Sequence, residues 1–188
     1  MRLSYEVRRK FIHFSALLIP IGYYFLSQEV VLAVLIPGTF LCLLIDMGRL
    51  YHEPTSRVFN RIFGRVLREH EGFHFTASTY LLFAATLCVI FFDRRVAIVS
   101  LLILIISDPT AALVGRKFGR IRLIGGKTLE GSCAFLISAL IITFLFPGLR
   151  LISKVAGAIA ATVIELSPLS IDDNLSIPLG SGLVMQLF

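Results

Sequence analysis

Long apolar runs, each separated from the next by a short charged stretch, constrain this chain more than any other feature. A helix needs about 20 apolar residues to cross the hydrocarbon core of a bilayer, within a range of about 17–25. Five runs meet that need: Phe11–Ser27, Val30–Asp46, Phe73–Phe92, Val96–Gly115 and Ser132–Leu149. Two more, Val155–Leu169 and Leu175–Phe188, are shorter. The last contains Pro178, Gly180 and Gly182, so a full span, a broken helix and a re-entrant segment are all open for it. The pattern predicts an all-α fold, a polytopic transmembrane helical bundle of six or seven spans built as a single domain over residues 1–188. Hydrophobic residues make up 56% of the chain, above the ~45–50% of soluble domains, and the excess sits in these runs.

Charge sets the orientation. The net charge is +6, from 18 Lys+Arg against 12 Asp+Glu. Basic balance can mean nucleic acid, an anionic membrane surface or an anionic substrate, and the apolar runs favour the last two and leave no role for nucleic acid. With a cytoplasmic N-terminus and seven alternating spans, the outside carries only Arg94, Arg95, Arg150 and Lys154, and every other Lys and Arg falls inside. Arg8-Arg9-Lys10 before an apolar run imitates a signal peptide, but no small-x-small cleavage site follows, so the first span is expected to be retained. Cys42, Cys88 and Cys133 lie inside apolar segments without metal-ligand spacing and read as small core residues.

Thr55–Glu71 is too polar to cross. Val58, Phe59, Ile62, Phe63, Val66 and Leu67 form one helical stripe, and Arg57, Arg61, Arg65 and Arg68 another face. Pro54 with Thr55 or Ser56 makes a helix start. The stretch is expected to be an amphipathic helix on the cytoplasmic interface, or simply a positively charged topogenic loop.

Ionisable residues in or beside apolar spans are expensive, and each is a candidate for function. Glu6, Arg9, Lys10 and His13 cluster at the entry to the first span, where Arg9 and His13 share a helical face. Asp46 closes the second span and reads as a helix-end residue. His70, Glu71 and His74 stand at the entrance to the third span and read as structural. Asp108, in Ser107-Asp-Pro-Thr-Ala111, follows an unbroken apolar run; a buried carboxylate needs a cation or a donor, and metal or substrate binding and a proline-kinked structural Asp both fit. Gly115-Arg-Lys-Phe-Gly-Arg120 and Gly125-Gly-Lys-Thr-Leu-Glu-Gly131 combine glycines, which let backbone N–H groups approach phosphate, with Lys127. This is not a P-loop: position 121, where the leading glycine belongs, is Ile, and no strand precedes it. Asp172-Asp173-Asn174 suits Mg²⁺, which takes oxygen ligands in company with phosphates, and equally suits a turn before a helix. Glu165 adds a carboxylate late in the sixth run. In the seven-span arrangement all these groups lie at cytoplasmic helix ends, as a water-soluble anionic cosubstrate meeting a lipid requires.

In Glu6-Val-Arg-Arg-Lys-Phe-Ile-His13, Ser107-Asp-Pro-Thr-Ala-Ala-Leu-Val-Gly115, Gly126-Lys-Thr-Leu-Glu-Gly131 and Asp173-Asn-Leu-Ser-Ile-Pro178, the chain resembles the CTP-dependent lipid kinases, which include dolichol kinase, phytol kinase and CTP-dependent diacylglycerol kinase. It is more distantly similar to phosphatidate cytidylyltransferase. The motifs occur in family order and cover most of the chain. The resemblance implies a multi-pass membrane enzyme that uses CTP and Mg²⁺ and transfers the γ-phosphate to the hydroxyl of a long-chain lipid alcohol. Under that resemblance Asp108 and Asp173, with Asn174, hold Mg²⁺. Lys127 and the Gly125–Gly126 backbone cradle the phosphates, with Gly115, Thr128 and Gly131 in the same nucleotide-binding stretch. Glu130 ligates a metal or orients Lys127. Arg9, Lys10 and His13 line the pocket, and a carboxylate, with Asp108 the first candidate, takes the proton of the lipid hydroxyl. The nearest alternative is a cytidylyltransferase making a CDP-lipid; no lysine adjoins Asp172-Asp173-Asn174 as that family's pattern wants. A small transporter and a scaffold without chemistry are further alternatives. The lipid is not named by these motifs, and a homodimer stays open.

Overall fold

The computed structural model describes residues 13–63, 74–168 and 171–188. All of its regular elements are helical, apart from one isolated antiparallel bridge between Arg122 and Thr128. In chain order they are α1 (Leu18–Phe25), α2 (Gln28–Tyr51), α3 (Glu53–Phe63), α4 (Ala77–Phe91), α5 (Arg94–Leu102), a π turn (Ile103–Ser107), α6 (Asp108–Phe118), a 3₁₀ turn (Ile124–Gly126), α7 (Leu129–Leu145), α8 (Leu151–Leu166) and α9 (Asp173–Leu187). Glu6, Arg9 and Lys10, and likewise Arg65, Arg68, His70 and Glu71, lie outside the described residues.

Helix starts follow local chemistry. Ser27, Thr76 and Thr128 each accept a hydrogen bond from the backbone N–H three residues on, which caps α2, α4 and α7. Asp172 does the same for α9 through Asn174 N–H. α7 ends at Leu145, four residues before the apolar run does, because Pro147 and Gly148 follow, the latter at φ 87°. α9 runs unbroken through Pro178, so of the three forms open for the last segment the chain adopts a continuous helix.

α5, the π turn and α6 form one rod, Arg94–Phe118, and this rod is the core. Val96–Leu101 and Ile103–Ile105 are buried, with Leu102 half-buried between them, so the helix is apolar and packed on nearly every side. Phe135 and Ala139 of α7, Ala158 and Ala161 of α8, and Ile177 of α9 share one buried cluster with Ile103 and Leu104. Tyr23, Val31, Leu35, Ala85 and Val89 cover the other side. Antiparallel neighbours α6–α7, α7–α8, α8–α9 and α2–α4 pack along their lengths, and α9 closes the ring against α4 and α5.

The outer surface is strongly apolar: Phe25, Leu18, Val34, Phe40, Leu145 and Leu187 all stand in open exposure on helices whose opposite faces are buried. Such a surface suits lipid rather than water. Two helices, Gln28–Tyr51 and Arg94–Phe118, are long and apolar enough to cross a membrane on length alone. Ala77–Phe91 and Leu129–Leu145 are shorter apolar helices, and 15–17 residues rise only about 22–26 Å against a hydrocarbon core of about 30 Å. Against the six or seven spans expected, length by itself therefore certifies two.

Candidate active site

Three chain segments bring their charged residues together at one end of the bundle. Residues 119–128 fold back on themselves through Leu123 N–H to Lys127 O (2.8 Å) and Leu129 N–H to Ile121 O (3.0 Å). Gly125 and Gly126 form the tip, with φ of 71° and 77°, a region that favours glycine. No heavy atom lies within 4 Å of where a Cβ would stand on either, so their backbone is open to an approaching anion.

Lys127 follows the tip and turns inward, to the end of α8 and the start of α9. Its ammonium lies 3.2 Å from Glu165 Oε1 and 3.3 Å from Asp173 Oδ2, and it also donates to the Glu165 backbone carbonyl. Glu165 is 5% exposed, and its second oxygen accepts from Ser132 Oγ at 3.4 Å. Burial pushes the Asp173 carboxyl up from its ordinary value; Lys127 pulls it back, and the charges of Asp108 and Asp172 push it up again. Asp108, Lys127 and Asp173, picked out from the motifs, are thus electrostatic neighbours.

Asp108 heads α6 directly after the π turn. Pro109 has no N–H to give to the carbonyl four residues back, so that of Ile105 lacks its helical donor. His13 Nε2 takes the place, 3.1 Å from Ile105 O. A residue at the chain entry is thereby tied to the turn that carries Asp108. π turns of this kind recur at functional sites.

Other expected residues sit differently. Glu130 turns away from Lys127, and its carboxylate accepts from Ile121 N–H at 3.3 and 3.4 Å. Its own backbone N–H first, then those of Arg120 and Ile121, hold its carboxyl below the usual carboxylate range. Gly115 and Gly131 serve helix contact rather than an open cradle. A Cβ on Gly115 would stand 2.7 Å from Thr128 Oγ1, and one on Gly131 would stand 2.9 Å from Ala111 O. Thr128 is wedged between them and caps α7. Asn174 is buried and donates its side-chain amide to Asp172 Oδ1 at 2.7 Å.

The residues present fit a nucleotide-borne Mg²⁺. Asp173 already turns an oxygen toward a cation, Asp108 lies within its field, and Mg²⁺ needs only one or two carboxylates when phosphates supply the rest. Among the described residues no three His, Cys, Asp or Glu side chains are gathered as a ready-made metal cage.

Asp46 and Arg49 form a second buried cluster whose partners the sequence did not disclose. They are 1% and 4% exposed and meet at 3.1 Å. Asp46 Oδ2 accepts from Thr76 N–H, Thr76 Oγ1 and Thr79 Oγ1, and Arg49 donates to His74 O at 2.6 Å and lies over the Phe59 ring. Every polar group here is answered inside the protein, so its role is structural: it fastens α2 and α3 to the start of α4.

Together these features define a helical bundle with an apolar outer surface and an ammonium–carboxylate site at the ends of its helices. Comparison gives the class a family. The chain is 34% identical to an uncharacterized protein of Rickettsia prowazekii, over 98% of this chain and 95% of that one. It is 26% identical to CTP-dependent diacylglycerol kinase 1 of Schizosaccharomyces pombe, over 98% of this chain and 94% of that protein. It is 37% identical to a probable chloroplastic phytol kinase of Triticum aestivum, over 50% of this chain and 37% of that one. No protein-family model and no solved structure matches it. These relatives support a place in the CTP-dependent lipid kinase family, and the chain is an enzyme, a lipid kinase.

Proposed function

We propose that this protein is a multi-pass kinase that transfers the γ-phosphate of CTP to the hydroxyl of a long-chain lipid alcohol at the cytoplasmic face, with diacylglycerol the leading acceptor and phytol-like alcohols or polyprenols behind it. The observation that carries this reading is Lys127 held between Glu165 and Asp173 beside Asp108. The relatives' names point to the nucleotide and to the lipid class.

Phosphoryl transfer asks a protein mainly for positioning and charge stabilisation. The open backbone at Gly125–Gly126 and the Lys127 ammonium suit phosphate oxygens. Asp108, Asp173 and Asn174 would hold Mg²⁺, which supplies neutralisation of the phosphate charge. Asp108 takes the proton of the acceptor hydroxyl. His13, tied to the turn that carries Asp108, would border the acceptor site, and Glu130 keeps the 119–128 loop in shape so that Lys127 is presented inward; Arg9 and Lys10 lie outside the described residues.

The cytoplasmic orientation rests on the basic residues at the site end. Seven antiparallel passes would carry Phe188 to the end of the bundle opposite the site. Asp93 N–H donates to Gln186 Oε1 at 2.9 Å, and Arg150 to Phe188 O at 3.3 Å, which puts the C-terminus at the end of the bundle away from Lys127.

The test is purified protein with CTP labelled at the γ- or the α-phosphate, offered diacylglycerol, phytol, a polyprenol and phosphatidate. γ-Label in lipid with release of CDP is expected. α-Label in lipid with release of pyrophosphate would replace the reading with a cytidylyltransferase. Asp108→Asn is expected to lower kcat at least about a hundredfold, as loss of a general base does, with membrane insertion intact; full activity there would remove Asp108 from the mechanism.

A further inference from the structure

Lys127 donates to the Glu165 carbonyl and to Asp173 Oδ2, and its ammonium is in ion-pair contact with Glu165 Oε1 at 3.2 Å. A lysine so surrounded turns its ammonium to protein acceptors rather than out to a phosphate. One contact must be given up when nucleotide arrives, and the three are not equally held. Glu165 supplies two of them. Its carbonyl belongs to the last turn of α8, and its side chain is 7% exposed with the other oxygen on Ser132. Asp173 supplies one, from the first residue of α9, and its side chain is 38% exposed. Releasing Asp173 moves a single half-open side chain; releasing Glu165 strips a buried carboxylate of its cation, which is strongly destabilising.

We propose that Glu165 is the positioning residue that keeps Lys127 in the site, and that Asp173 is the exchangeable partner, passing from Lys127 to the divalent cation when the nucleotide binds. In the nucleotide-free protein Lys127 is the counter-ion of Asp173, a carboxylate the metal will use. Glu165 and Asp173 share one ammonium, with the charges of Asp108 and Asp172 in the same field, so the site carries an excess of carboxylate for a divalent cation to offset. The exchange frees one Lys127 donor for phosphate while the two Glu165 contacts hold the ammonium in register. This rests on the lipid kinase reading for the identity of the nucleotide; the exchange of Lys127 for metal does not need it.

Mn²⁺ binding, read by electron paramagnetic resonance of the purified full chain without nucleotide, tests the exchange. Lys127→Met is expected to bind Mn²⁺ at least tenfold more tightly than wild type. The double variant Lys127→Met/Glu165→Gln, which leaves no uncompensated Glu165 charge, is expected to keep that gain. Unchanged Mn²⁺ affinity in both would overturn the proposal. Glu165→Gln alone is expected to raise the Kd of an imido analogue of CTP with Mg²⁺ about tenfold without tightening Mn²⁺ binding. A lowered thermal midpoint with analogue affinity unchanged would make Glu165 merely structural and sink the positioning role. Failure of wild type to bind the CTP analogue while it binds another nucleotide would count against CTP alone, and the Mn²⁺ result would still decide the exchange.

Discussion

A buried charge survives only where its partners are complete, and Asp46 and Arg49 meet that condition inside the protein. Breaking such a pair leaves an unpaired charge behind, at a cost of about 3–5 kcal/mol. Asp46→Ala is therefore expected to lower the thermal midpoint sharply, and Thr79→Ala, which removes one of several donors to the same carboxylate, to cost only about 1 kcal/mol; a thermal melt of each in detergent measures the difference. Asp46 was legible as a helix-end residue. Its partners were not, because Thr76 and Thr79 stand about thirty residues further along and hydropathy does not say which helix ends meet. Glu130 makes a gentler case. Its folded pKa is depressed, so what its contact with Ile121 contributes is present above the ordinary glutamate value and is lost as pH falls through the lower folded one. Amide exchange at Ile121, corrected for its intrinsic pH dependence, is expected to be slow at neutral pH and to speed up in that acid window; Glu130→Gln should flatten the profile, and a variant with the wild-type profile would detach Glu130 from the loop.

Between elements the glycines changed meaning. In the sequence Gly115, Gly125, Gly126 and Gly131 look alike, four small residues around a lysine in a basic loop. The chain spends them on two different needs. Gly125 and Gly126 take positive φ at an open tip, whereas Gly115 and Gly131 let α6 and α7 close around Thr128. A motif cannot separate these uses, because both ask only for a missing Cβ. Space separates them. Gly115→Ala must push against the Thr128 hydroxyl and is expected to cost about 1–3 kcal/mol, as overpacking does. Thr128→Ala alone should cost about 1 kcal/mol through the lost cap. Because the same hydroxyl is involved in both, the double variant is expected to lose less than the sum, and chemical denaturation of the four proteins reads the coupling directly. The Pro109–His13 relation belongs to the same scale. Proline at that position was legible as a local break in the helix; that a histidine at the chain entry would answer the freed carbonyl was not.

For the whole molecule, hydropathy located the apolar helices and an amphipathic stripe located α3, and the charges pointed to one end as chemically distinct. What hydropathy could not supply was the ring order of helices that places Glu165 and Asp173 on Lys127, since that order depends on side-chain fit across non-sequential neighbours such as α4 and α9. The two ends make opposite commitments. At one end lie Lys127, Glu165, Asp172 and Asp173; at the other, Arg94 donates to Tyr23 O, Asp93 meets Gln186 and Arg150 meets the C-terminus. If the bundle crosses the bilayer in seven passes, these ends face different compartments. In a background with Cys42, Cys88 and Cys133 replaced, Ile124→Cys at the exposed loop and Arg150→Cys at the far turn report on them separately. A membrane-impermeant maleimide is expected to label Ile124→Cys in inverted vesicles only, and Arg150→Cys together with a cysteine appended after Phe188 in right-side-out vesicles only. Labelling of the appended cysteine from the Ile124 side would mean an even number of passes after the 119–128 loop. Labelling of Ile124→Cys and Arg150→Cys from one side would mean that α7, Leu129–Leu145, which separates them, does not cross, and the proposed cytoplasmic site would have to be rebuilt on another topology.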